Sequence, residues 1–166
     1  MKIAVTRGAS ISKKKKEQEM EKHELIEMLK NLIQVDIDMV HSYNRALDEV
    51  SDQVIHSRLS AFRDKHQKHI ADLSDEVRSL GGWAPEPTKD FKGYIIEAFT
   101  TLGTMAGMKG ALKALQAAEE LSNRYYAKAV PKTVPPDLKE IVRKHFSDEK
   151  NHLEYIRNNL QVLSRG

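Results

Sequence analysis

Six polar residues interrupt apolar stripes that otherwise run along four predicted helices: Asp36, His66, His69, Glu119, Glu149 and His152. A stripe that repeats in alternating steps of three and four marks the buried face of a helix. A carboxylate or imidazole on such a face loses its hydration and must find a replacement. Six of them on four helices therefore call for a fold in which they meet.

The stripes give the architecture. Helix 1, expected over residues 18–50, carries Leu25, Leu29, Leu32, Asp36, Met39, Tyr43, Leu47 and Val50 on one face. Ser51-Asp52 breaks it, and either residue can cap the next helix. Helix 2 reads Ile55, Leu59, Phe62, His66, His69, Leu73, Val77, Leu80 and stops at Gly81-Gly82. Helix 3 reads Met108, Leu112, Leu115, Glu119, Ser122, Tyr126, Ala129; after Pro131, Pro135 and Pro136, helix 4 reads Leu138, Val142, His145, Glu149, His152, Ile156, Leu160, Leu163. Short turns join helices 1 and 2, and helices 3 and 4, as antiparallel pairs. The link from Gly81 to Met108 is long enough to cross the bundle, with a short extra helix expected from Phe91 to Leu102. The expected fold class is all-α, a four-helix bundle with one long crossover between helices 2 and 3.

A hairpin brings together residues equally far from its turn. Asp36 stands about 16 residues before Asp52, and the midpoint of His66 and His69 about as far after it. Glu119 lies about 14 residues before Thr133, and the midpoint of Glu149 and His152 about 17 after it. The polar residues of each pair thus fall at one level, and the i, i+3 spacing puts both members of each doublet on one helix face. Carboxylates can bridge two cations, and an imidazole nitrogen binds one terminally; two carboxylates with two such doublets build a dinuclear bundle site. Three carboxylates with neutral histidines offset most of the charge of two divalent ions. The mixed donors suit iron, manganese or zinc, and suit calcium poorly. The alternative is a metal-free network, with Asp36 on His66 or His69 and Glu119 on His152. Tyr43 and Tyr126 are expected beside the site with their hydroxyls on its carboxylates, and His145, one turn before Glu149, behind it. Glu120 and Asp148 should point aside by about 100° of helix rotation. His23, His41 and His56 read as surface residues, and Trp83 as a plug over the bundle end or a dimer contact.

Composition excludes other chemistries. The 166 residues suit one domain. They include no cysteine, so disulfides, Cys-ligated zinc, iron–sulfur clusters and thiolate nucleophiles are ruled out; a cytoplasmic setting fits. No apolar run spans a membrane, and the N-terminus is too weakly apolar for a signal peptide. Six basic residues and no acid fall in the first sixteen, leaving 21 basic against 24 acidic in the rest. Residues 1–17 therefore read as a basic, solvated arm before a bundle over 18–166. An arm with Lys13 to Lys16 could hold nucleic acid or an anionic surface, although no aromatic interleaves the lysines.

The chain resembles the ferritin-like superfamily over roughly residues 20–163, in particular rubrerythrin-type domains and small bacterial stress-associated relatives. The resemblance is carried by Glu119 with Tyr125-Tyr126-Ala127-Lys128-Ala129 in helix 3, by Glu149-Lys150-Asn151-His152 in helix 4, by the Leu80-Gly81-Gly82 ending and by the long crossover. In such proteins helix 1 supplies a Glu, matched here by Asp36, and helices 2 and 4 each supply Glu-x-x-His. Helix 4 keeps that motif; helix 2 has His66 in place of Glu. The resemblance implies two metal ions, iron foremost, and ferroxidase or peroxidase-like oxidoreductase chemistry or iron handling under stress, in a cytoplasmic homo-oligomer. A metal-free structural bundle and a nucleic-acid binder acting through the basic arm are the alternatives.

Overall fold

The computed structural model describes residues 4–86, 107–133 and 135–165, with side chains from Ser12 onward. Four helices carry the fold: α1 (Ala4–Leu47), α2 (Gln53–Ser79), α3 (Gly107–Ala129) and α4 (Pro136–Leu163), with a single 3₁₀ turn at Val130–Lys132 before α4. No strand occurs among the described residues. The short helix expected from Phe91 to Leu102 lies outside them.

Local chemistry sets the helix ends. Asp52 caps α2, its carboxylate accepting from the amides of Val54 and Ile55 at 2.9 Å. At the other end the amides of Gly81 and Gly82 bond back to the carbonyls of Arg78 and Val77, both at 2.8 Å. Gly81 takes φ +75°, where a side chain would be strained. Gly82 is needed for closeness: a Cβ there would lie 2.9 Å from the Ile26 side chain. Pro136 opens α4, where its missing N–H costs nothing, and Asp137 faces the positive end of the helix dipole.

Packing follows the expected order. α1 lies against α2 and α3, and α4 against α3 and α2. The chain leaves α2 beside Ile26 and re-enters at Gly107, whose amide bonds the Glu49 carboxylate at 3.2 Å. Those two points are about 35 Å apart in the direction of α1, so the chain leaves and re-enters at opposite ends of the bundle.

α1 starts well upstream of residue 18, where its stripe begins. Ser12 to Glu24 are exposed throughout. This stretch is helical because Lys and Glu are good helix formers and pair along the axis, as at Lys13–Glu17 (4.0 Å), and no buried face holds it.

Two apolar clusters fill the interior. One gathers Met39, Tyr43, Leu59, Phe62, Leu112, Leu115, Ile156 and Leu160 toward the α1–α2 turn. The other gathers Leu29, Leu32, Leu73, Val77, Tyr126, Leu138 and Val142 toward the opposite end. Trp83 is 75% exposed and plugs neither, because Gly82 docks the backbone against α1 and turns the next side chain outward.

Candidate metal centre

The polar residues lie between the two clusters. Asp36, His66, His69, Glu119, Glu149 and His152 are each 2% exposed or less. The donor atoms of Asp36, His66, His69 and Glu149 fall within 4.8 Å of one another, as do those of His66, Glu119 and His152. His66 belongs to both groups. Its Nδ1 lies 2.8 Å from Asp36 Oδ1 and 3.3 Å from Glu149 Oε1, and its Nε2 lies 3.4 Å from Glu119 Oε1. His69 Nδ1 stands 3.3 Å from Asp36 Oδ1 and 3.4 Å from Glu149 Oε1. His152 Nδ1 is 3.4 Å from Glu119 Oε1.

A surrounding layer aims these groups. The Tyr126 hydroxyl donates to Asp36 Oδ2 at 2.6 Å, and the Tyr43 hydroxyl donates to Glu119 Oε1. Each tyrosine follows one carboxylate on its own helix and bonds the carboxylate of the other, so α1 and α3 are tied reciprocally. Ser122 Oγ donates to Glu149 Oε2. Asn123 Nδ2 donates to the backbone carbonyls of Glu119 (2.9 Å) and Glu149 (3.0 Å), which joins α3 to α4 at this level. Phe62 stacks on His152 with ring centroids 4.2 Å apart. His145 stacks on His69 and bonds Asp72 at 3.2 Å.

Electrostatics follow from burial and pairing. Burial opposes charge on Asp36, yet hydrogen bonds from His66 and His69 outweigh it and hold the carboxyl well below its usual range. Glu119 is likewise brought down to about 2 against burial, by the His152 and His66 rings beside it. Burial pushes the His66 ring down, but Glu149 and the bonds to Asp36 and Glu119 drive it well above the ordinary histidine value. His69 is raised to about 9, its bond to Asp36 and the nearby Glu149 carboxylate overcoming burial. Burial, seconded by the neighbouring carboxylates, pushes both tyrosine hydroxyls up, so they act as donors.

Three buried atoms of this layer have no hydrogen-bond partner: Glu119 Oε2, Glu149 Oε1 and His152 Nδ1. Buried oxygens and a ring nitrogen left without a hydrogen bond are costly. They are also the atom types that a cation of the iron, manganese or zinc class accepts. The residues therefore fit a metal.

Two participants, Asp148 and Ser122, carry no signal in the stripes. Asp148 was expected to point aside, but its Oδ2 lies 3.3 Å from His69 Nε2. Glu120 does point aside, held by Gln116 and Arg157. Asp148 belongs to no inward i, i+3 doublet; it reaches across the α2–α4 groove from the edge of the stripe. Ser122 sat in the stripe as a small residue, and its bond to Glu149 has no sequence signature. His23 and His56 are exposed, whereas His41 is half-buried.

Two antiparallel helix pairs in the expected order, with a buried layer of carboxylates and histidines between them, make a ferritin-like fold. Residues 24–132 match the family described as Domain of unknown function (DUF2383), and the chain belongs to that family. No curated protein matches it. Among solved structures it is similar to ferritin-like, diiron-carboxylate proteins from Bacillus anthracis, with a TM-score of 0.62 and 21% identity over 84% of this chain and 97% of that one. It is also similar to a hypothetical protein from Pyrococcus furiosus, with a TM-score of 0.64 and 16% identity over 85% of this chain and 90% of that one. At those identities the likeness concerns the fold. No described helix is long and apolar enough to cross a membrane.

Proposed function

We propose that Asp36, His66, His69, Glu119, Glu149 and His152 hold two metal ions, iron foremost, for iron handling or for redox chemistry with dioxygen or peroxide. The observation that carries this reading is the convergence of three carboxylates and three imidazoles from four helices, with Glu119 Oε2, Glu149 Oε1 and His152 Nδ1 buried without a hydrogen bond. The diiron-carboxylate description of the Bacillus anthracis relatives supports it by analogy of fold. Iron bound in such a layer supplies one-electron exchange with an oxidant. The chain's own residues do the rest. Tyr43 and Tyr126 orient Glu119 and Asp36, Ser122 holds Glu149, and Asp148 fixes the His69 ring. The apolar clusters on either side exclude bulk water. The chain has no cysteine, so the reductant comes from another protein or a small molecule. A homo-oligomer in the cytoplasm of a bacterium, serving a stress response, completes the reading by resemblance.

Anaerobic titration with Fe(II), followed by air exposure and optical spectroscopy, tests it. About two equivalents should bind, and oxidation should produce a ligand-to-metal absorption band. Protein that takes up no iron, with a melting temperature unchanged by it, would sink the proposal.

A second reading, a metal-free structural bundle, is favoured by the 2.8 Å pairing of His66 with Asp36 and by the raised His69, because these imidazoles can neutralise the carboxylates themselves. Metal analysis of freshly purified protein separates the two.

A further inference from the structure

We infer that His66 divides the polar layer into two unequal halves, so that metal is taken up in order: the first ion beside Asp36, His66, His69 and Glu149, the second, more weakly, beside Glu119 and His152. This inference rests on the metal-binding reading above and adds to it an order of filling and the residue that imposes it.

His66 is the residue common to both donor groups. A carboxylate at its position could give one oxygen to each half. A neutral imidazole has one lone pair for a metal, because its other nitrogen carries a proton. His66 can therefore complete one half only. Its Nδ1 looks toward Asp36 and Glu149, at 2.8 and 3.3 Å, and its Nε2 toward Glu119, at 3.4 Å.

Charge decides which half fills first. The Asp36 half contains two carboxylates and the Glu119 half one, and an additional carboxylate beside a divalent cation strengthens binding well over tenfold at about the dielectric of a protein interior. An ion there has His69 and the near nitrogen of His66 as further donors. With Nδ1 committed, Nε2–H points at Glu119 Oε1, the carboxylate–histidine–metal arrangement that fixes a ligand ring. Glu149 belongs to the Asp36 half alone: its Oε1 faces His66 and His69, while its Oε2 accepts from Ser122 Oγ. The other half then retains Glu119 Oε2 and His152 Nδ1, both without hydrogen-bond partners, as a two-donor site. Once the first ion is in place, only about one negative charge remains in the layer to attract the second.

Calorimetric and optical titration of metal-free protein with Co(II), under anaerobic conditions, tests the order. Wild type should show two resolved steps of one equivalent each, with dissociation constants separated by about tenfold or more. His152→Ala should keep the tight step and lose the weak one. His69→Ala should weaken the tight step. His66→Glu, which restores a group able to face both halves, should draw the two steps together into a single two-equivalent event. Circular dichroism of each variant establishes that it is folded. Two equal steps in wild type, or a tight step lost in folded His152→Ala, overturns the order while leaving metal binding intact. No Co(II) uptake by wild type overturns the metal-binding reading and the order with it. The wild-type titration decides the matter even if a variant fails to fold.

Discussion

The rings of His69 and His145 lie stacked, with centroids 4.0 Å apart and planes 20° from parallel, and they are biased toward opposite protonation states. Burial disfavours charge on both. At His69 the bond to Asp36 and the nearby Glu149 carboxylate prevail and the ring is raised to about 9. At His145 burial prevails, the His69 cation adds repulsion, and Asp72 offsets only part; the ring is lowered to about 4. Ring-nitrogen NMR of metal-free protein should show His145 neutral down to about pH 4 and His69 protonated up to about pH 9. Both rings titrating near the ordinary value of about 6.5 would contradict the electrostatic picture.

These shifts make the stability of the metal-free protein depend on pH with a definite sign. His69 is raised, so its contribution is complete below about 6.5, its unfolded value, and is lost as pH climbs through about 9. His145 is lowered, so its contribution is complete above about 6.5 and is lost as pH falls through about 4. The depressed Asp36 and Glu119 add to the acid loss only below their unfolded values of about 4. Urea midpoints at constant salt should therefore peak near pH 6.5 and decline on both sides. A midpoint rising steadily from pH 6.5 to 9 would count against the His69 pairing.

Asp148 should matter to metal affinity although it lies at the edge of the layer. It receives the Nε2 side of His69 at 3.3 Å while Nδ1 faces Asp36 and Glu149. Asp148→Ala is expected to weaken metal binding about 10- to 100-fold without altering stoichiometry. Calorimetric titration of the variant beside wild type reads both quantities.

The two apolar clusters and the α2 cap give stability predictions. Leu73→Ala and Leu115→Ala each remove a side chain that is 0% exposed, and each should cost about 2–5 kcal/mol. Asp52→Ala removes the acceptor for two amides and should cost about 1 kcal/mol. Chemical denaturation gives all three values; a loss at Asp52 equal to that at Leu115 would show that the turn does more than cap α2.

Deleting residues 1–16 should leave the melting temperature nearly unchanged, within about 0.5 kcal/mol of stability, because Ser12 to Glu24 bury nothing among the described residues. If Lys13 to Lys16 bind DNA, the same deletion removes a salt-sensitive association. Filter binding at several salt concentrations, with and without the arm, measures it. A truncated protein that cannot fold would show that the arm packs on the body.

The four-helix order and the convergence of six polar residues were legible because both depend on periodicity, which a sequence displays directly. Asp36, His66, His69, Glu119, Glu149 and His152 each occupy stripe positions, and hairpin arithmetic put them at one level. The bonds that aim them were legible only in part. Tyr43 and Tyr126 stood in the stripes, but their exchange of partners between α1 and α3 depends on how those helices face each other. Asp148 lies off the stripe and reaches His69 only because α2 and α4 adjoin. The start of α1 was missed because the stripe locates burial, and a solvated helix of Lys and Glu has none.

The polar layer crosses all four helices between the two apolar clusters, so the interior amounts to two cores in series sharing the same rods. Leu59 and Leu73 sit on opposite sides of the seam on α2, as do Leu115 and Tyr126 on α3. An ion pinned across the seam would act as a rivet, making the ends open and close together. Without it the ends can breathe separately, and amide exchange would divide into two tiers split at residues 36, 66, 119 and 149. Metal status would then register as cooperativity along the bundle, with little change in its outline.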